Sequence, residues 1–188
     1  MFSLSQFVDA CRSALEDSDP PLAVRHLISE AVGDPVAVEA SLGRERRRQN
    51  EPSSYLFLYQ SASLTILNAV IPPRLQSPPH NHLTWAVIGL YSGREDNIFY
   101  RRDGDRIIER GRQDLAPRDV MVLDTDTIHS ISNPLPHRSY ALHVYGGALD
   151  NPARSLWNPF TLEEEPFHLL TLLKYEREMM ERTAGKGG

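Results

Sequence analysis

The stretch Pro78-Pro79-His80-Asn81-His82-Leu83-Thr84-Trp85-Ala86-Val87-Ile88-Gly89-Leu90-Tyr91 carries more of the fold than any other in the chain. It passes from a proline pair, through two histidines one residue apart, into a run of apolar, β-branched and aromatic residues. Side chains alternate across a strand, so His80 and His82 project from one face and Asn81 from the other. Two imidazoles on one face can hold a single metal ion in cis. A third, His129, supplied by a neighbouring strand, would complete a facial set and leave the opposite side of the ion open.

Similar segments lie on either side. Residues 55–59, 63–71, 84–91, 97–101, 119–123 and 140–145 are short, rich in β-branched and aromatic side chains, and separated by turn-formers such as Gly93, Gly104, Gly111, Pro134 and Pro136. Short strands at near-regular spacing with no helical pattern between them predict an all-β core, an antiparallel sandwich or barrel. Residues 3–45 read instead as helical. Leu4, Phe7, Val8, Cys11, Ala14 and Leu15 form a stripe that Ser3 or Ser5 caps. A second helix follows Pro20-Pro21 and stops at Gly33, and a third runs from Pro35 toward Gly43. Residues 148–159 read as irregular. A last helix spans 169–182, with Leu169, Leu170, Leu172, Leu173 and Met179 as its apolar face. The chain is expected to be a single domain, 1–188, divided into a helical segment (1–50), a barrel (51–147) and an extension with its helix (148–188).

At 188 residues, with 40% hydrophobic and 24% charged side chains, the composition is that of an ordinary globular protein. A net charge of −5 argues against nucleic-acid and anionic-membrane partners, and the run Arg44-Glu45-Arg46-Arg47-Arg48 is too short and too interrupted to reverse this. Cys11 is the only cysteine, which rules out an intrachain disulfide and a thiolate metal cluster. The first residues lack the basic start and apolar run of a secretory signal, and no stretch reaches the ~20 apolar residues of a membrane span. The expected location is the cytoplasm.

The histidine spacing resembles that of the cupin superfamily, whose fold is a double-stranded β-helix, or jelly-roll, barrel. The first cupin motif runs His-x-His, a short spacer, Glu, six residues, Gly. Here Ala86 stands in the Glu frame and Gly93 in the Gly frame. By strand parity Ala86 is expected on the face of His80 and His82. His129 and Asn133 match the second motif, although Arg118, Asp124 and Asp126 replace its Gly, Pro and Gly.

Three-histidine cupins without the carboxylate resemble the thiol dioxygenases, the cysteine and 3-mercaptopropionate dioxygenase group. Residues 80–89 are similar to that group's His-Asp-His-x-x-Trp-Gly-Val-Ile-Gly. Ala141-Leu142-His143-Val144-Tyr145 is similar to its Ser-x-His-x-Tyr relay, with Ala141 in place of the Ser. The resemblance implies a mononuclear Fe(II) enzyme that oxidises a small thiol to a sulfinate with O2, with Ni, Zn or Mn as other metals of the site. It implies metal ligation by His80, His82 and His129, and catalytic roles for His143 and Tyr145. Arg154 and Tyr55 are the candidates for holding substrate. Partners are then a small molecule and O2, with a homodimer possible. Two other readings stay open, a three-histidine cupin acting on a non-thiol small molecule and a non-catalytic metal-binding cupin.

Overall fold

The computed structural model describes residues 1–42, 54–104 and 106–184; the basic run at 44–48 lies outside them. Three helices come first, α1 (Leu4–Ala14), α2 (Pro20–Gly33) and α3 (Pro35–Leu42). Ser3 occupies the N-cap of α1, but neither it nor Ser5 makes the capping bond; their hydroxyls face each other in solvent. Asp19 does cap α2, accepting from the Leu22 amide at 3.1 Å ahead of Pro20.

The strands follow: β1 (Ser54–Gln60), β2 (Thr65–Ile71), β3 (His80–Asn81), β4 (Ala86–Ser92), β5 (Glu95–Asp103), β6 (Arg106–Leu115), β7 (Val120–Leu123), β8 (Ile128–Ser132), β9 (Ser139–Tyr145), β10 (Ser155–Trp157) and β11 (Glu164–Pro166). Helix α4 (Leu169–Ala184) closes the order. One antiparallel sheet runs β1-β2-β9-β4-β7 and the other β11-β10-β3-β8-β5-β6. From β2 to β9 the chain passes repeatedly between the sheets, so that β2-β9-β4-β7 faces β3-β8-β5-β6. This is a jelly roll, the all-β core expected from the strand pattern.

Four elements escaped the sequence pattern. β6 is absent from the expected strands because its charged side chains mostly face solvent and break the apolar alternation. β8 is short, β10 lies in the stretch read as irregular, and β11 follows between that stretch and the last helix. β10 nonetheless pairs with β3 and is buried along its length. The barrel sheet therefore recruits chain beyond residue 147.

The first sheet is covered on both sides, which explains the uninterrupted apolar run in β4. Val87 and Tyr91 point outward into a cluster with Phe7, Cys11, Val24, Ile28 and Val32 of the helices. Ala86, Ile88 and Leu90 point inward with Leu67, Leu123, Ala141 and Tyr145. Trp85 packs on the outer, helical side. Cys11 is buried beneath the helices, and that burial pushes its thiol up to about 12, so it is inert.

Gly89 is where α2 touches the sheet: a Cβ there would lie 2.2 Å from Ile28 Cγ2 and 2.9 Å from Val32 Cγ1. Gly89→Ala is expected to lower stability by about 1–3 kcal/mol through overpacking, read as an earlier urea midpoint at unchanged slope. An unchanged midpoint would mean that α2 does not dock here.

At α4 the register differs from the one read in the sequence. Leu172 and Tyr175 are buried with Leu156, whereas Leu170 is 81% exposed. Among the described residues no helix is long and apolar enough to cross a membrane.

Candidate metal centre

His80 and His129 stand directly opposite each other across β3 and β8. His82 lies one residue past β3, immediately before Leu83, whose φ of 53° is left-handed. That strained residue turns the chain away from the second sheet and sends it to β4 in the first. Strand parity does not run continuously from His82 to Ala86, as the sequence argument assumed. Ala86 still faces the barrel interior, opposite Tyr145, because β4 enters the facing sheet with that side inward.

Three ring nitrogens, one from each of His80, His82 and His129, lie within 4.8 Å of one another, and all three residues are buried. Two of the three remaining nitrogens are held by acceptors, and the third, His82 Nδ1, faces the Arg154 guanidinium. His80 Nδ1 lies 3.1 Å from the Pro78 carbonyl, and His129 Nδ1 lies 3.0 Å from Asn97 Oδ1. Both partners can only accept, so both Nδ1 atoms carry hydrogen and their Nε2 lone pairs are free. His82 Nε2 is 3.0 Å from His129 Nε2. Bonds of about 2.1 Å at right angles place neighbouring donors about 3.0 Å apart, so this pair matches one edge of a metal's donor set. Ligands held by a second hydrogen bond are the usual construction of a metal site.

Burial also keeps the cluster neutral. It lowers His80 from the ordinary 6.5 to about 4, and lowers His82 and His129 well below 6.5, with the neighbouring rings and Arg154 adding to the effect. Neutral imidazole is the ligating form. For protein stripped of metal, the unfolded chain binds these protons before the folded one does. The stability contribution is therefore complete above about pH 6.5 and lost as the pH falls toward about 4, some 3 kcal/mol from His80 alone. Thermal midpoints of chelator-treated protein should fall between about pH 7 and pH 4.5, and His80→Leu should flatten that fall. A flat profile in the parent would contradict the buried, neutral cluster.

The cluster opens into a cavity of about 630 Å³. His143 and Tyr145 lie at its inner end, Leu67, Ile131 and Leu149 line it, and Phe57, Phe167, Leu169 and Leu173 surround the mouth. The relay pair is together: His143 Nδ1 is 2.9 Å from the Tyr145 hydroxyl, and the Tyr145 ring sits 4.9 Å from that of His82. Burial raises the Tyr145 phenol above its ordinary 10, so it keeps its proton. His143 is outside the three-nitrogen group. The exposed His26 and His137 are elsewhere, and His168 lies at the mouth.

Arg154 is buried rather than a surface residue of an irregular segment. Its Nε donates to the Asn81 carbonyl at 3.0 Å and Nη1 to the Leu149 carbonyl at 2.6 Å, while Nη2 is 3.4 Å from His82 Nδ1. Its guanidinium lies over the Phe167 ring, 3.7 Å from the centroid. Tyr55 is opposite Ala69 on β1, and its side chain lies outside what is described.

The sequence reading missed Asn97, Glu95 and the wall formed by Phe167 and α4. Two alternating polar residues at the head of an otherwise β-rich segment were the available signal for the first two. Arg118, where the second cupin motif has Gly, adopts φ 82°, so the turn keeps the left-handed backbone without the glycine.

No family model matches this sequence. Among solved structures, the chain is similar to a cupin superfamily protein from Desulfitobacterium hafniense at 17% identity, over 55% of this chain and 84% of that one, with a TM-score of 0.46. It is similar to KdgF from Halomonas at 14% identity, over 57% and 89% of the two chains, with a TM-score of 0.44. An oxalate decarboxylase variant from Bacillus subtilis matches at 17% identity and a TM-score of 0.42, over 55% of this chain but only 27% of that one. The fold itself is a jelly-roll barrel whose interior gathers three neutral imidazoles, two of them oriented by acceptors, able to hold one divalent ion.

Proposed function

We propose that this protein is a mononuclear iron-dependent oxygenase of the thiol dioxygenase kind, converting a thiol with an apolar body to its sulfinate. The observation that carries the reading is the three-histidine cluster at the inner end of an apolar cavity, with a His–Tyr pair beside it. Iron(II) held by His80, His82 and His129 would supply a cationic seat for a thiolate and the redox chemistry that O2 requires. In the overall reaction both atoms of O2 add to sulfur. The sulfur loses the four electrons that O2 gains, so no outside reductant is needed.

The chain's own residues do the rest. Leu67, Ile131 and Leu149 keep water from the reacting atoms and receive the substrate's apolar part. His143 Nδ1 lies 2.9 Å from the Tyr145 oxygen, and with hydrogen on Nδ1 it donates there and leaves the phenol proton free to donate to negative charge developing in the cavity. A cavity of 630 Å³ falls in the range that takes a drug-sized molecule, well beyond the needs of cysteine. Arg154, the one Lys or Arg among the described lining residues, spends two nitrogens on backbone carbonyls. A thiol without a carboxylate is therefore favoured over a small amino-acid or mercapto-acid substrate. The same observation favours, as a second reading, an oxygenated carbon substrate of similar size.

The deciding experiment loads purified protein anaerobically with Fe(II) and follows O2 uptake with a graded panel: cysteine, 3-mercaptopropionate, benzyl and longer alkyl thiols, and non-thiol diketones. Uptake with the apolar thiols and products heavier by two oxygen atoms are expected. Uptake confined to the diketones would replace the thiol reading with the carbon one, and no uptake anywhere in the panel would remove the oxygenase.

A further inference from the structure

β5 begins with Glu95, a carboxylate with no solvent exposure, and two residues later on the same strand face comes Asn97, equally buried. Isolated buried carboxylates are costly and persist where something holds them. Here one oxygen is held: Asn97 Nδ2 donates to Glu95 Oε1 at 2.9 Å. The other, Oε2, has no hydrogen-bond partner and stands 3.8 Å from His143 Nε2, which has none either. His143 is on β9 in the facing sheet, so the pair spans the inside of the barrel. At 3.8 Å the two atoms are beyond hydrogen-bond distance, and a hydrogen carried by Oε2 and directed at the Nε2 lone pair is the arrangement that gives each of them a partner.

We propose that Glu95 is the positioning residue of this site, orienting through its two oxygens both the Tyr145–His143 pair and the histidine ligand His129. The logic on one side runs through Asn97. Oε1 accepts, so the amide must present its NH2 to Glu95 and its oxygen to His129. That oxygen keeps hydrogen on His129 Nδ1 and the lone pair on the Nε2 that faces the cluster. On the other side, a hydrogen carried by Glu95 Oε2 and directed at His143 Nε2 occupies that nitrogen's lone pair. The ring's own hydrogen is then on Nδ1, which donates to the Tyr145 oxygen, 2.9 Å away. Glu95 thus supplies from across the barrel the polar partner for His143 that Ala141 cannot supply on its own strand. The His129 arm stands on geometry alone, whereas the use made of Tyr145 rests on the oxygenase reading.

Two-bond 1H–15N spectra of the histidine rings in metal-free, 15N-labelled protein test this without any turnover, with signals assigned from single-histidine variants. In the parent, His129 and His143 should each show a protonated Nδ1. Glu95→Gln should preserve both, since its amide oxygen accepts from Asn97 and its NH2 donates to His143 Nε2. Glu95→Leu should lose the fixed state of both rings and weaken Fe(II) binding about 10–100-fold. Asn97→Ala should release His129 and leave His143 as it was, which keeps the test open if Glu95→Leu does not fold. A parent spectrum with either Nδ1 unprotonated, or Glu95→Leu rings identical to the parent's, overturns the assignment. On iron-loaded protein, the Glu95→Leu/Tyr145→Phe double variant should be no slower than Tyr145→Phe alone. Additive losses would remove Tyr145 from the chain, and a protein with no turnover would fail the oxygenase reading while the ring spectra still decide Glu95.

Discussion

His82→Ala protein should bind Fe(II), or Co(II) as a stable surrogate, more than about a hundredfold more weakly than the parent. Removing the outer partner of a ligand costs about 10–100-fold, and removing the ligand itself costs more. His82 is the informative choice because it lies outside the β3–β8 pairing that places His80 against His129. Its loss therefore leaves the sheet intact while breaking the 3.0 Å contact between Nε2 atoms. The control is His168→Ala, an exposed histidine at the cavity mouth, which should bind metal as the parent does. Metal content by elemental analysis and affinity by anaerobic calorimetry read the result. Full loading of His82→Ala would dissolve the three-histidine site.

The second large effect belongs to Tyr145. Tyr145→Phe keeps the ring packed in the barrel opposite Ala86 and deletes only the hydroxyl. If that hydroxyl donates to charge developing in the cavity, its loss should raise the barrier by roughly 2–4 kcal/mol, on the order of a hundredfold or more in kcat. Metal content should be unchanged, because the phenol is not among the three donors. A stability loss of about 1–3 kcal/mol should accompany it, since His143 Nδ1 loses its partner inside the barrel. Iron-loaded Tyr145→Phe that turns over at the parent rate would leave Tyr145 as packing. Slow turnover with undiminished stability would show that His143 finds another partner.

The histidine cluster was legible because its information is local and periodic. His80 and His82 are bound to the same neighbourhood by adjacency, and the spacing to His129 matched a known pattern. Ala86 shows the limit of that reasoning. It faces the interior as parity required, yet the parity argument crossed Leu83, where the backbone is left-handed and the chain changes sheets. The outcome was right for a reason the pattern does not contain. Arg154 shows the opposite case: its segment reads as irregular, but β10 joins β3, buries the guanidinium beside His82 and commits it to backbone carbonyls.

From the sequence alone came the all-β core between N-terminal helices and a C-terminal helix, and the three imidazoles as one candidate set. Alternation, turn residues and short-range spacing are properties of consecutive residues, and they survive without the fold. Only the tertiary structure decided what surrounds those imidazoles: the size and apolar character of the cavity, the placement of α4 at its mouth, and the approach of Glu95 to His143. Those contacts join residues from facing sheets, far apart in the chain. Their distances are set by how the two sheets close on each other, which no run of neighbouring residues encodes.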